Sequence, residues 1–185
     1  MPADDKHSID EPSSALAWSH AIDDIGPKGV RVERAASEAE CAAIARQIGI
    51  RGCRSLAVKY QIRPMAGGAY FADGKLRATV TQSCVITLEP VEETIEEPFT
   101  VEFRDASEIE AIEASEMEFD PDEPDDPEPI VAGRLMIGPP IIEHLILALD
   151  PYPRLPGATL DQTSTGTEAS RDNPFAALAK LKPRS

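Results

Sequence analysis

An α+β fold is predicted by three features of this sequence. Two long stretches alternate apolar and polar residues, a capped amphipathic helix precedes them, and a short, strongly apolar helix follows. Period two with one wet face suits antiparallel pairing. The expected architecture is a twisted antiparallel sheet, open or partly closed into a barrel, with two or three short helices and a disordered acidic insert.

Each element has its own signal. Residues 15–22 read as a short strand, followed by a turn at Gly26-Pro27-Lys28-Gly29 and a strand through Val30 and Val32. Ser37 and Glu40 fit a capping box. Cys41, Ile44, Ala45 and Ile48 then recur on one helical stripe, and Gly49 supplies the stop. The first alternating stretch puts Leu56, Val58, Tyr60 and Ile62 on one face, with Ser55, Lys59, Gln61 and Arg63 opposite. Gly67-Gly68 and the Asp73-Gly74 pair are expected to break the chain, with Tyr70 and Phe71 just before the second break. In the next stretch Leu76, Ala78, Val80, Cys84, Ile86 and Leu88 share one parity, against Arg77, Thr79, Thr81, Ser83 and Thr87. A Glu-rich turn over 90–98 leads to a third strand with Phe99, Val101 and Phe103 inward. After the acidic stretch, Val131, Leu135 and Ile137 mark another strand. Pro139-Pro140 opens the apolar helix 141–149, where a missing N–H costs nothing.

Composition bounds the rest. The chain has 185 residues, 42% of them hydrophobic, enough for one core. Its 17 prolines imply segments outside that core. The expected organisation is a flexible tail over 1–13, one domain over 14–156 carrying a flexible acidic insert at 105–129, and a polar linker with a short docking helix over 157–185. In that last element Pro174 suits the first helical position, and Phe175, Leu178 and Leu181 form an apolar stripe for docking on a partner or on the chain itself. No run approaches the roughly 20 apolar residues of a membrane span. The polar start lacks a signal-peptide core, and three widely spaced cysteines do not suggest a disulfide framework. A cytoplasmic protein without a membrane partner is expected.

Charge is segregated along the chain. The net charge is −15, yet 18 of the 33 acidic residues fall between Glu89 and Glu128, where Arg104 is the single base. Between Lys28 and Arg77, ten Lys or Arg stand against four acids. Lys59, Arg63 and Arg77 share the outward parities of the two long strands, and Arg51, Arg54 and Lys75 sit at strand ends or turns. These six residues are the candidate RNA-binding face, making phosphate contacts on a rigid sheet, while Tyr70 and Phe71 either stack on an unpaired base or pack within the hairpin. An ordinary solvated sheet face is the competing reading.

Catalytic patterns are missing from the sequence. It holds no Gly-rich phosphate loop, no Gly-x-Ser-x-Gly turn and no His-x-x-x-His pair. His7, His20 and His144 are isolated from one another. Cys84 reads as a small buried hydrophobe. Thr87 stands three residues on, and Cys53, the thiol able to approach across the sheet, leaves the set short of a third zinc ligand. No catalytic residue, metal, cofactor or small-molecule substrate is expected.

Three segments resemble the YceD family, described as large ribosomal RNA subunit accumulation proteins. They are Ala78-Thr-Val-Thr-Gln-Ser-Cys-Val-Ile-Thr-Leu-Glu-Pro, Glu143-His-Leu-Ile-Leu-Ala-Leu-Asp-Pro-Tyr-Pro-Arg and Asn173-Pro-Phe-Ala-Ala-Leu-Ala-Lys-Leu-Lys. Many members carry Cys-x-x-Cys; here Cys84 matches the first position and Thr87 replaces the second. The resemblance implies a non-enzymatic factor for large-subunit ribosomal RNA maturation. Its expected partners are that RNA or a pre-ribosomal particle; beside this, the charge map gives the acidic segment two readings, contact with basic ribosomal proteins or limitation of non-specific RNA binding. A protein-interaction adaptor, acting through the acidic segment and the last helix without touching RNA, is the alternative.

Overall fold

The computed structural model describes residues 14–109 and 126–159. The tail 1–13, most of the acidic insert, and the end of the linker with its docking helix lie outside the described residues. In chain order the described elements are β1 (His20–Ala21), β2 (Val30–Ala35), α1 (Glu38–Ile48), β3 (Gly52–Pro64), β4 (Tyr70–Ser83), β5 (Pro90–Arg104), β6 (Glu128–Pro129), β7 (Arg134–Leu135) and α2 (Gly138–Leu147). The main sheet runs β2-β3-β4-β5-β6 and is open, not closed into a barrel. Its pairs are antiparallel except β5–β6, which is parallel. β1 and β7 form a separate two-stranded ribbon.

α1 forms as its sequence requires. The Ser37 hydroxyl accepts from the Glu40 amide while the Glu40 carboxylate accepts from the Ser37 amide, and Gly49 ends the helix in the left-handed region at φ 72°. Cys41, Ile44 and Ala45 are buried on its inner side. The core lies between one sheet face and the two helices. Leu56, Val58 and Ile62 of β3, Leu76, Ala78 and Val80 of β4, and Ile95, Phe99, Val101 and Phe103 of β5 point into it, meeting Ile141, Ile142 and Leu145 of α2.

Four expectations are corrected. The strand over 15–22 reduces to His20–Ala21, because the chain turns into a 3-10 helix at Ile22–Asp24; Leu16 and Trp18 are buried all the same. Asp73-Gly74 is no turn: both lie inside β4, and the β3–β4 hairpin closes at 65–69, where the Met65 amide donates to Ala69 O at 2.7 Å. Gly74 serves a different need, since it pairs with Tyr60 and a Cβ there would lie 2.5 Å from the Tyr60 Cβ. β4 ends at Ser83, so Ile86 and Leu88 leave the inward row, and Leu88 sits exposed in a turn at φ 61°. Finally, the Glu-rich 90–98 stretch is a strand, the first part of β5. It pairs with β4 along its length, and Pro90 and Pro98 are tolerated because β5 has β6 on its other side only at Phe103 and Arg104.

Candidate nucleic-acid interface

The outward residues of the sheet form one solvent-exposed face, and period two decides its membership. β3 contributes Ser55, Ala57, Lys59, Gln61 and Arg63; opposite them β4 contributes Thr79, Arg77, Lys75, Asp73 and Phe71. Lys59 and Lys75 are direct cross-strand neighbours. Lys75 thus belongs to the face itself, inside a strand and not at a turn. A bulge between Cys53 and Ser55 shifts the register. It sets Cys53 opposite the buried Val80 and lets Arg54 reach β5. Four of the sequence-predicted bases, Lys59, Arg63, Lys75 and Arg77, are thereby brought together, with Arg54 at one end.

Each of these five carries a carboxylate partner. Lys59 Nζ lies 2.8 Å from Glu33 of β2, and Arg63 reaches Asp73 at 2.8 Å. Lys75 and Arg77 share Glu96 of β5, at 2.6 and 3.3 Å, and Arg54 meets Glu92 at 3.3 Å. The hydrogen bond from Lys75, followed by the charges of Lys75 and Arg77, holds the Glu96 carboxyl below its ordinary range. These five bases face four carboxylates, and the exposed Arg31 of β2, directly opposite the outward Gln61, adds a sixth base to the same face. Arg51 differs: its guanidinium donates to Ser83 Oγ at 2.7 Å and to Leu88 O at 2.8 Å, which ties the start of β3 to the turn after β4. Phe71 lies on the outward face with the Arg63 guanidinium 5.7 Å from its ring centroid, whereas Tyr70 packs against the core. Of the two aromatics, Phe71 alone belongs to the outward row.

Arg31 and the carboxylates Glu33, Asp73, Glu92 and Glu96 are the members that sequence reasoning missed. Their signal was available for β5, whose outward positions 92, 94, 96, 98, 100 and 102 are all polar or proline. Glu93 and Glu97 on the other parity obscured the alternation.

The thiols fall into two places. Cys53 lies beside Cys41, not across the sheet from Cys84, and burial, followed by the neighbouring Cys41, pushes its thiol up to about 12. Cys84 is buried, and its sulfur accepts from the Thr87 and Leu155 amides, each at 3.5 Å. Donation from the Thr87 side chain, then from the Leu155 and Thr87 amides, holds this thiol at about 6. Thr87 thus occupies the second Cys-x-x-Cys position as a hydrogen-bond donor to the first. Among the described residues no three of His, Cys, Asp and Glu gather as a metal-holding group, and no helix is long and apolar enough to cross a membrane.

Fold and site together define a small α+β protein with an open sheet, one face covered by two helices and the other a charge-paired lattice exposed to solvent. Residues 72–182 match the family described as Large ribosomal RNA subunit accumulation protein YceD, and the chain belongs to that family. No curated protein and no solved structure matches the chain. The matched stretch holds Lys75, Arg77, Glu92 and Glu96 of the lattice; Glu33, Arg54, Lys59 and Arg63 lie before it.

Proposed function

We propose that this protein is a non-enzymatic cytoplasmic factor that supports large-subunit ribosomal RNA accumulation by docking on precursor RNA or on a pre-ribosomal particle through its exposed sheet face. The observation that carries the proposal is the co-facial set Arg54, Lys59, Arg63, Lys75 and Arg77, each 50–74% exposed and held on rigid strands. Exposed ion pairs of this kind contribute little, so a phosphate oxygen replaces a carboxylate at small cost. The carboxylates have their own consequence: they oppose loose attraction to any polyanion, so binding depends on phosphates placed to match the lattice. Phe71 sits among these bases as a stacking surface.

The test is association with large-subunit precursor RNA over a series of salt concentrations. Replacing Lys59, Arg63 and Arg77 together by Ala should weaken binding and flatten its salt dependence; unchanged affinity would remove the RNA-face claim. A second reading is favoured by the pairing itself: because these five bases already have partners, the protein acts as an adaptor toward basic ribosomal proteins through its acidic segment and its C-terminal Pro174, Phe175, Leu178 and Leu181. Deleting residues 110–125 distinguishes the two. The deletion tightens RNA binding if those acids screen the sheet, and abolishes particle association if they are the contact.

A further inference from the structure

α2 is apolar on nearly every side. Ile141, Ile142 and Leu145 are buried, while Ile146 remains 46% and Leu147 75% exposed. The helix runs beside the free edge of β5, which β6 covers only at Phe103 and Arg104. Between helix and edge lies a groove of about 330 Å³, walled by Thr100, Glu102, Glu128, Glu143, His144 and Leu147. Glu102 is paired with Arg104 at 2.6 Å. Among the described residues Glu128 and Glu143 have no Lys or Arg partner, and burial, then the charge of Glu143, raises the Glu128 carboxyl above its ordinary range. Asp126 lines the groove as well, so among the described residues it offers an uncovered apolar rim beside three carboxylates without a Lys or Arg partner.

The chain carries one complement to it. Of the three segments outside the described residues, 1–13 and 110–125 are net acidic. The third ends in Asn173-Pro-Phe-Ala-Ala-Leu-Ala-Lys-Leu-Lys-Pro-Arg, which has three bases, no acid, and Phe175, Leu178 and Leu181 at three-residue spacing. From Thr159, the thirteen residues 160–172 span up to roughly 45 Å when extended. A domain of this size has a radius of gyration of only about 14 Å. A short tether also gives the segment a local concentration in the millimolar range.

We propose that the C-terminal segment 173–184 docks along this groove of its own chain and the adjoining exposed side of α2, laying Phe175, Leu178 and Leu181 over Leu147 in the groove and Ile146 beside it and bringing Lys180 and Lys182 to Glu128 and Glu143. Zero-length carbodiimide cross-linking of the full chain tests it. The expected product is an isopeptide between Lys180 or Lys182 and Glu128 or Glu143, in material of monomer mass and independent of protein concentration. In the charge-swapped chain, E143K with K180E, a linkage between the same two positions forms again, whereas either change alone removes it. Hydrogen exchange gives a second readout: amides 176–182 exchange at least tenfold more slowly in the wild type than in Leu147→Glu, a change at an exposed position. Linkages confined to material of dimer mass, linkages to residues 110–125 instead, or equal exchange in the two chains would each overturn the proposal.

Discussion

Gly74→Ala has an opposite sign from the usual effect of such a change. Replacing glycine by alanine where the backbone tolerates it stabilises a protein by about 0.4–1 kcal/mol, chiefly by restricting the unfolded chain. At position 74 the new Cβ meets Tyr60 at 2.5 Å from Cβ and 2.7 Å from Cα, and it also overlaps the Lys59 carbonyl oxygen. None of these atoms is the free end of a flexible side chain. Reaching an ordinary carbon contact of roughly 3.5 Å forces β3 and β4 apart by about 1 Å, against a strand spacing of about 4.8 Å, and weakens the ladder between them. Overpacking of this kind costs about 1–3 kcal/mol. After the unfolded-state gain, a net loss of about 1–2 kcal/mol remains, a Tm lower by roughly 2–8 °C for a chain of this length. The assay is thermal unfolding followed by circular dichroism, with Gly26→Ala as the control, since a Cβ there has nothing within 4 Å. A Tm for Gly74→Ala equal to or above that of the wild type would refute the reading that this glycine exists to admit Tyr60.

Three further outcomes follow from individual contacts. Glu40 accepts from the Ser37 amide at 2.8 Å and from the Trp18 indole N–H at 2.7 Å, and Trp18 is buried; Glu40→Ala thus loses a cap and strands a buried donor, costing about 2–3 kcal/mol in urea unfolding, with Glu40→Gln recovering part of it. His20, bonded to the Tyr60 hydroxyl at 2.7 Å, has its pKa lowered by burial first and then by Arg34 and Arg134. The unfolded chain therefore binds the proton more readily, so this contribution to stability is whole above about pH 6.5 and declines as pH falls below it; His20→Gln should flatten that part of a Tm–pH curve relative to the wild type. Glu96 neutralises Lys75 and Arg77 together, so Glu92→Gln with Glu96→Gln should tighten RNA binding severalfold and steepen its salt dependence, measured by filter binding.

What the sequence made legible were features encoded within one element. The capping box of α1 and its Gly49 stop were readable because cap and stop lie within a dozen residues of each other. The outward row of β3 was readable because alternation needs no partner strand. Features set by register were not. Gly74 resembled a turn residue because its reason, Tyr60, lies across the hairpin, and Pro90 to Pro98 resembled a loop because an edge strand tolerates proline and glutamate that an interior strand would reject. The bulge at Cys53 and Ser55 left no local mark, yet it is what separates the environments of Cys53 and Arg54. For the candidate site, the outward bases of β3 and β4 were legible from alternation alone, whereas Arg31, Glu33, Glu92 and Glu96 were not, since they come from neighbouring strands.

The register also divides the acidic run into parts with different physical roles. Read along the chain, Glu89 to Glu128 is a single block opposed to a basic front half. In the fold, Glu92 and Glu96 stand within 3.3 Å of Arg54, Lys75 and Arg77 and belong to the same surface as those bases. Glu128, on β6 at the far side of the strand, instead confronts Glu143. At physiological salt, charges on the surface act over about 8 Å, so these groups are not interchangeable contributors to one negative field. Neutralising Glu92 and Glu96 changes what the sheet face presents to an anion, while neutralising Glu128 changes what the α2 groove presents to a cation. A deletion confined to 110–125 leaves both contacts in place, and that is why it isolates the contribution of the insert from that of the folded acids on either side.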